Sequence, residues 1–217
     1  MEKHRLAIID LDGTLLNVYS AETSFFFFLV RTGRIPPARM LASIASFIWD
    51  IAGKGFRTAI ATNAFFLRGE KPEDIADWAR QFGRHFLDHA VPSSLREKIR
   101  GLKLQGCRVV LLSGSLQVLV DQLRDVIGAD YLIGGTLEVE AGRFTGKKTG
   151  LHPFGSDKVA VLFERIAPES VDWEGSWALA DRYSDLPVLE LVGHPVAVNP
   201  DRRLRKLARE RGWEVMG

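Results

Sequence analysis

Apolar residues occur in this chain in two patterns, as short unbroken runs and as longer stretches with an apolar residue at every third or fourth position. The unbroken runs include RLAIID (5–10) and CRVVLLS (107–113), and the second is rich in β-branched residues. Runs of this length predict strands that are buried on both faces of a sheet. Two further strands are predicted from SWALAD (176–181) and HPVAVN (194–199).

The stretches with helical periodicity lie between and after these strands. In SSLREKIRGLKLQG (93–106), for example, Leu95, Ile99 and Leu102 fall on one face of a helix. Further helices are predicted from SLQVLVDQLRDVIG (115–128), DKVAVLFERIA (157–167), LPVLELVG (186–193) and DRRLRKLARERG (201–212). Strands that alternate with helices predict an α/β fold with a doubly wound parallel sheet.

Two segments depart from this alternation. Residues 20–91 carry helical signals and no convincing strand, so we predict a helical cap domain inserted after the first strand. The α/β core domain then consists of residues 1–19 and 92–217. Residues 136–147 (TLEVEAGRFTGK) alternate on either side of an Ala-Gly pair, which predicts a β-hairpin.

Composition and charge narrow the class of protein. The chain has 217 residues, of which 46% are hydrophobic and 26% charged, and these values are typical of a globular protein with a packed core. A formal charge of +2 gives no reason to expect a nucleic-acid partner. Cys107 is the only cysteine, so the chain cannot form an internal disulfide, and we expect a reducing compartment.

The N-terminal residues and the most apolar tracts bear on localisation. The chain enters a predicted strand within a few residues and lacks the regions of a signal peptide, which predicts a cytoplasmic protein. The tracts TSFFFFLV (23–30) and MLASIASFIW (40–49) are far shorter than the roughly 20 apolar residues needed to cross a bilayer. We therefore expect no stable membrane insertion, while peripheral contact with a membrane and the oligomeric state stay open.

The first candidate for chemistry is a pair of aspartates. Asp10 ends the first predicted strand, Asp12 follows two residues later, and Gly13 allows a sharp turn that leaves backbone N–H groups exposed. Two carboxylates at this spacing point to the same side of an extended chain, where one can attack or bind metal while the other transfers protons. A strand that simply ends in a polar turn is the alternative.

Ser113, Gly114 and Lys158 are candidates for binding an anion. Ser113 and Gly114 follow the second strand, where a hydroxyl and backbone N–H groups can bind an anionic oxygen. Lys158 lies in the first turn of a predicted helix, a place that disfavours a lysine unless an anion is close. The alternatives are an ordinary Ser-Gly turn and a solvent-exposed lysine.

Asp181 and Asp185 follow the third predicted strand. Carboxylates there are natural oxygen ligands for a hard cation, although Asp185 could instead cap a helix that starts at Leu186. Because ligands of a parallel α/β sheet bind at the carboxyl ends of the strands, one crevice is expected to hold Asp10, Asp12, Ser113 and Asp181.

In their order along the chain, the motifs DLDGT, LLSGS, DK at a helix start and DRYSDLP resemble the four motifs of the haloacid dehalogenase superfamily of phosphohydrolases. The helical stretch between the first two motifs resembles the cap of the phosphoserine-phosphatase-like branch. The C-terminal part, from DLPVLELVG onwards, is similar to the ends of small hydrolases in that branch. The resemblance covers both ends and the middle of the chain, and the body of the cap lies outside it.

The resemblance implies a Mg²⁺-dependent enzyme that acts on a small-molecule phosphomonoester. Asp10 is then the nucleophile that forms an aspartyl-phosphate, and Asp12 is the acid and base, roles that carboxylates can fill chemically. Ser113, Gly114 and Lys158 are implied to bind the phosphate.

The resemblance also implies a set of metal ligands. The Mg²⁺ ligands are Asp10, the backbone carbonyl of Asp12, and Asp181, with Asp185 in support. Arg182 follows Asp181 where the family often has Gly or Ser, so the metal geometry is less fixed at that point.

The substrate is the least determined part of this interpretation. In phosphoserine phosphatases a glutamate after the aspartate pair binds the substrate ammonium; Tyr19 holds that position here, and Glu22 fits only if the entry to the cap shifts. The apolar cap residues are Phe25–Phe28, Phe47, Ile48, Trp49, Phe65 and Phe66. Some of them must pack the core of the cap, which is the alternative for the Phe25–Phe28 run, and any that face the crevice favour an apolar substrate. With Tyr19, this predicts a bulkier or lipid-like phosphomonoester rather than phosphoserine. Phosphoserine phosphatase is one alternative, and a receiver-like or degenerate phosphate-binding module without turnover is another.

Overall fold

The structure is a computed structural model that describes residues 3–55, 58–59, 62–87 and 90–217. Its strands are β1 (Arg5–Ile9), β2 (Cys107–Leu116), β3 (Tyr131–Glu140), β4 (Arg143–Thr149), β5 (Trp177–Ala180), β6 (His194–Val198) and β7 (Glu214–Met216). Within the described residues they form one sheet of seven strands in the order β4-β3-β2-β1-β5-β6-β7, parallel except for β4. The predicted α/β class with a doubly wound, mostly parallel sheet is confirmed.

The side chains of strand β1 show that both faces of the sheet are covered by apolar clusters. Ala7 and Ile9 pack into one apolar cluster, and Leu6 and Ile8 pack into the other, as the two-residue period of a strand requires. β1 lies between β2 and β5 and is parallel to both. Its carboxyl end therefore lies in the middle of the edge at which ligands bind in such sheets.

Helices pack on both faces of this sheet. In the part of the chain that the structure describes, the helices that pack on the sheet and those of the insertion are α1 (Ala21–Arg31), α2 (Pro37–Lys54), α3 (Pro72–Phe82), α4 (Ser93–Leu104), α5 (Gln117–Val120), α6 (Arg124–Ile127), α7 (Asp157–Arg165), α8 (Leu186–Leu189) and α9 (Arg202–Glu210). The cluster on one face includes apolar residues of α4, and the cluster on the other includes residues of α7, α8 and α9. This is the layer arrangement expected of a doubly wound fold.

The helices α1, α2 and α3 lie between β1 and β2, where a helical insertion was predicted. The described part of 20–91 consists of helices and turns, with one isolated bridge from Asn63 to Lys147. Three backbone hydrogen bonds join this insertion to the hairpin β3–β4: Ala64 donates to Gly146, Gly69 to Phe144, and Phe144 to Glu70, at 2.8–2.9 Å. The insertion is thus attached to the edge of the sheet as well as to the chain on either side.

The longest helix among the described residues, α2, has 18 residues and one buried residue, Ser43. It exposes Leu41, Ile48 and Trp49, the last with 80% of its surface accessible. Even so, none of the described helices combines the length and the apolar character needed to span a bilayer.

The structure corrects the sequence prediction in four places. β2 continues to Leu116, three residues past the predicted end, because Ser113 and Gly114 stay extended through an irregular register with β3. β3 was predicted only as half of the hairpin, yet its first half also pairs in parallel with β2. The helix predicted over 115–128 is broken by a 3₁₀ turn at Asp121–Leu123, since apolar spacing of three fits both helix types. β7 was not predicted.

Candidate active site

The centre of the candidate site is an ion-pair network at the carboxyl end of β1. The Nζ atom of Lys158 lies 2.5 Å from Oδ1 of Asp10 and 3.0 Å from Oδ1 of Asp185. Each of the three residues is at least 90% buried. Burial alone lowers the pKa of a lysine, but the two carboxylates outweigh it and raise the pKa of Lys158 above its usual value. Lys158 is therefore a permanent cation beside Asp10, and Asp185 binds it instead of capping α8.

Asp181 approaches the same centre from the end of β5. Its carboxylate accepts a hydrogen bond from the Thr14 hydroxyl at 3.3 Å and lies 3.5 Å from Nε of Arg182. Gly13 makes this approach possible, because it has a φ of 87° and a Cβ at that position would overlap with the Asp181 carboxylate. The turn after β1 thus needs glycine for its backbone angle and for the space it leaves.

Asp10, Asp181 and Asp185 form a crowded acidic group. One carboxylate oxygen from each lies within 4.8 Å of the other two. Burial and the charge of Asp10 raise the pKa of Asp181 to about 7, and burial raises the pKa of Asp185. A divalent cation relieves such crowding, and buried carboxylate oxygens are the donors that Mg²⁺ prefers. The donor set therefore fits the predicted metal.

Asp12 has different partners. Its Oδ1 accepts a hydrogen bond from the backbone N–H of Ala21 at 2.6 Å, and its Oδ2 accepts one from the Ser115 hydroxyl at 2.7 Å. Burial and the charge of Asp10 raise the pKa of Asp12 to about 6, although these two hydrogen bonds act in the opposite direction. A carboxyl group with a pKa near neutrality is suited to giving and taking a proton.

The end of β2 at Ser113 lies beside the aspartate pair. Ser113 is 1% exposed, and its hydroxyl oxygen accepts a hydrogen bond from the backbone N–H of Ser115 at 3.0 Å. Ser115 therefore connects this end of β2 to Asp12. Sequence reasoning missed that role, although the SGS triplet, with two hydroxyls beside a glycine, was an available signal.

These groups line one cavity of about 530 Å³, which also reaches the helical insertion. The cavity brings together all seven residues predicted for the site: Asp10, Asp12, Ser113, Gly114, Lys158, Asp181 and Asp185. Its wall on the side of the insertion includes the apolar side chains of Phe26, Ile44, Phe47 and Phe66. Phe25, in contrast, is fully buried in the core, so only some of the apolar cap residues face the cavity.

An ion pair adds a polar section to that wall. Glu22, in the first turn of α1, lies 2.8 Å from Nζ of Lys148 on β4, and both line the cavity. This corrects the expectation that Glu22 could reach the site only through a shifted cap entry, because α1 begins at Ala21 and already places it there. Tyr19 also lines the cavity but is 74% exposed, with Arg182 over its ring.

Comparison with known proteins identifies the family. The model of the haloacid dehalogenase-like hydrolases matches residues 7–190. The chain belongs to the haloacid dehalogenase-like hydrolase family. A histidinol-phosphatase of Neisseria meningitidis is 28% identical to this family member over 221 residues, which cover 97% of each protein.

One further relative and one solved structure are also similar to this haloacid dehalogenase-like hydrolase. A phosphoserine phosphatase of Mycobacterium tuberculosis is 30% identical over 166 residues, covering 76% of this chain and 52% of that protein, so the match spans about half of that relative. A crystal structure from Bordetella pertussis, of a protein with unknown function, has a TM-score of 0.84 at 27% identity and covers 99% of both chains. The predicted family and its phosphoserine-phosphatase-like branch are confirmed.

Proposed function

We propose that this chain is a Mg²⁺-dependent phosphomonoesterase that forms an aspartyl-phosphate on Asp10. The observation that carries the proposal is the buried network of Asp10, Lys158 and Asp185 beside Asp181, which lines one cavity together with Ser113 and Gly114. The family and its phosphatase relatives support the class of enzyme. Asp10, Asp181 and the backbone carbonyl of Asp12 would hold the Mg²⁺, with Asp185 in support.

The chain's own residues divide the reaction into two displacements. Asp10 attacks the phosphorus atom, and Asp12 in its protonated form donates a proton to the departing alcohol oxygen. Asp12 then takes a proton from the water that attacks the aspartyl-phosphate, which releases inorganic phosphate and restores both carboxyl groups. The bound cation supplies charge neutralisation, which an anionic nucleophile needs to approach an anionic ester.

Phosphate binding falls to Ser113, Gly114 and Lys158 in this proposal. The Ser113 hydroxyl and the Gly114 N–H donate to phosphoryl oxygens, and Lys158 compensates their charge while it stays paired with Asp10. A receiver-like or degenerate binding module is disfavoured because Asp12 is present with a pKa suited to proton transfer. Turnover of a generic aryl phosphate separates the enzyme from that alternative.

The substrate we propose is a small or lipid-like phosphomonoester with an apolar body. The support is the wall of the cavity, where Phe26, Phe47 and Phe66 line the same space as the acidic centre. We also predict peripheral contact with a membrane, through the exposed apolar residues of α2. A cytoplasmic location and the division into a core (1–19 and 92–217) and a cap (20–91) belong to the same proposal.

A second candidate is a substrate that carries an ammonium group, and Glu22 favours it. This carboxylate lies in the cavity lining, and the names of two relatives, histidinol-phosphatase and phosphoserine phosphatase, refer to amino-bearing phosphoesters. Lys148 argues against this candidate, because its Nζ atom lies 2.8 Å from the Glu22 carboxylate and already neutralises its charge.

The test is a comparison of kcat/KM for phosphoserine, histidinol phosphate and a long-chain alkyl phosphate at one Mg²⁺ concentration. We expect the alkyl ester to be preferred. If an amino-bearing ester is preferred by more than about tenfold, roughly 1.4 kcal/mol in transition-state binding, the second candidate replaces the first. Glu22→Gln should then lower kcat/KM for that ester alone, with Glu73→Gln, an exposed acid at the start of α3, as the matched control.

A further inference from the structure

His152 is a buried polar residue that the proposed reaction does not use. It is 9% exposed, it lines the cavity, and it follows the hairpin on the way to α7. Neither of its ring nitrogens has a hydrogen-bond partner among the described residues. Buried polar atoms in native proteins are almost always paired with protein, water or ligand. An imidazole without a partner in the wall of a cavity therefore points to a group that enters the cavity.

The neighbours of His152 indicate which group that is. Nε2 lies against Gly114, where an added Cβ would be 3.0 Å from it, and Nδ1 lies on the side of Gly135. Two glycines thus make room for the ring directly beside Ser113 and Gly114 at the end of β2. Pro153 and Phe154 continue the same wall, and the Phe154 ring is stacked on the imidazole with centroids 6.3 Å apart.

The charges around the ring favour an anion. Burial, followed by the charges of Lys148 and Lys158, lowers the pKa of His152 to about 4. The ring is consequently neutral near pH 7 and offers one N–H donor and one acceptor. Two lysines that act on the same ring create a positive potential, in which an anionic oxygen is the complementary partner of the donor.

We propose that His152 is a substrate-binding residue that donates a hydrogen bond from a ring nitrogen to a phosphoryl oxygen of the bound phosphomonoester. This inference rests on the proposed function, and it adds a donor that the four sequence motifs do not contain. Both nitrogens are closed to solvent in the free chain, so the proposed hydrogen bond requires the ring to rotate as the phosphoryl group enters. No hydrogen bond has to be broken for that rotation.

The experiment compares His152→Phe, which keeps a planar ring of similar size, with His152→Gln, which keeps an N–H donor. Inorganic phosphate is the probe, as a product inhibitor and in direct titration with Mg²⁺ present. For His152→Phe we expect the inhibition constant of phosphate and KM to rise about tenfold or more, as for loss of a hydrogen bond to a charged group, with a smaller change in kcat. His152→Gln should recover most of the binding. His194→Phe, the same change at the opposite end of the sheet, is the matched control.

A melting curve without phosphate separates binding from a purely structural role. Because the nitrogens are unpaired in the free chain, His152→Phe should melt at or above the wild-type temperature, and phosphate should raise its melting temperature less than it raises that of the wild type. Unchanged phosphate inhibition in His152→Phe, or a Gln variant as weak as the Phe variant, would overturn the inference. If the wild type binds phosphate but hydrolyses no ester, the proposed function fails, and the titration still decides the role of His152.

Discussion

The acidic centre and the apolar wall line one cavity and are built in different ways. In the acidic centre, Asp10, Lys158 and Asp185 are buried at the ends of core elements, and each is held by an ion pair. The apolar wall (Phe26, Ile44, Phe47 and Phe66) comes from the helical insertion, and Ile44 is 47% exposed. The acidic centre is held in place by ion pairs, whereas the apolar wall offers a packing surface.

From this difference we expect that a substitution on one side of the cavity leaves the contribution of the other side unchanged. Chemistry at the acidic centre depends on distances between charges, so the removal of one member alters the pKa and the position of the others. A side chain in the apolar wall contributes contact area, and its removal changes affinity for one part of the substrate. The following predictions test this separation, beginning with the largest effect.

Asp10→Asn should abolish turnover, with a loss of at least about 10⁴-fold in kcat, because an amide cannot form the acyl phosphate. The fold should persist, since amide and carboxylate are nearly isosteric and Lys158 keeps Asp185 as a partner. Trapping of the phosphoenzyme and circular dichroism measure the two effects. Asp157→Asn, an exposed residue beside Lys158, is the control. Near-wild-type activity in Asp10→Asn would remove Asp10 as the nucleophile.

Asp12→Asn should lower kcat by about 10² to 10⁴-fold, the range typical of general acid–base catalysis. The loss should be smallest for esters with acidic leaving groups, which need no proton to depart. Rates for a series of aryl and alkyl phosphates measure this dependence. An equal loss across the series would show that Asp12 is not the acid.

Mg²⁺ should stabilise the chain, by about 2.7 kcal/mol at a concentration 100 times its dissociation constant. Burial and the charge of Asp10 raise the pKa of Asp181 to about 7 from an ordinary 3.8. The folded chain therefore binds this proton more tightly than the unfolded chain, and without metal this group adds stability as the pH falls from about 7 towards 4.

Because protons and Mg²⁺ compete for Asp181, the rise in melting temperature on adding Mg²⁺ should be larger at pH 8 than at pH 5.5. Asp181→Asn should lose most of that pH dependence. A Mg²⁺ effect that is identical at both pH values in the wild type would count against Asp181 as a ligand.

Phe47→Ala should have the smallest effect, a loss of about tenfold in kcat/KM for an apolar ester, equivalent to roughly 1.4 kcal/mol of contact. Hydrolysis of a small, polar ester should change much less. Trp49→Ala is a stringent control, because Trp49 lies on the same helix and is 80% exposed outside the cavity lining. If both variants lose activity equally on both esters, the two sides of the cavity are not independent.

The acidic centre could be predicted from sequence because its residues are adjacent to strands. Asp10 ends an apolar run and Asp181 ends another, and the parallel sheet brings such ends to one edge. Lys158 could be found because a lysine in the first turn of a helix is out of place without an anion. In each case one local pattern and one general rule, about sheets or about helix ends, were sufficient.

The residues that sequence reasoning missed depend on contacts that no local pattern records. Lys148 reaches Glu22 only because β4 pairs with β3 in one register, with Thr136 opposite Thr149. His152 faces the cavity because Gly114 and Gly135, distant in sequence, leave space for its ring. The break in the helix after β2 was missed for a related reason, since packing decides between helix types that share one apolar spacing. Strand β7 was missed because its three residues are too few to show a pattern.

The three backbone hydrogen bonds between the hairpin and the helical insertion have a consequence for how a ligand enters. A movement that lifts the insertion either breaks these bonds together or carries β3 and β4 with it. The second kind of movement would bend β3 at Gly134 and Gly135, where its partner changes from β2 to β4. Since β4 carries Lys148 and the insertion carries its partner Glu22, this movement would take the whole ion pair away from the cavity and closing would return it. Access for the substrate and the polar lining that it meets would then change in a single motion.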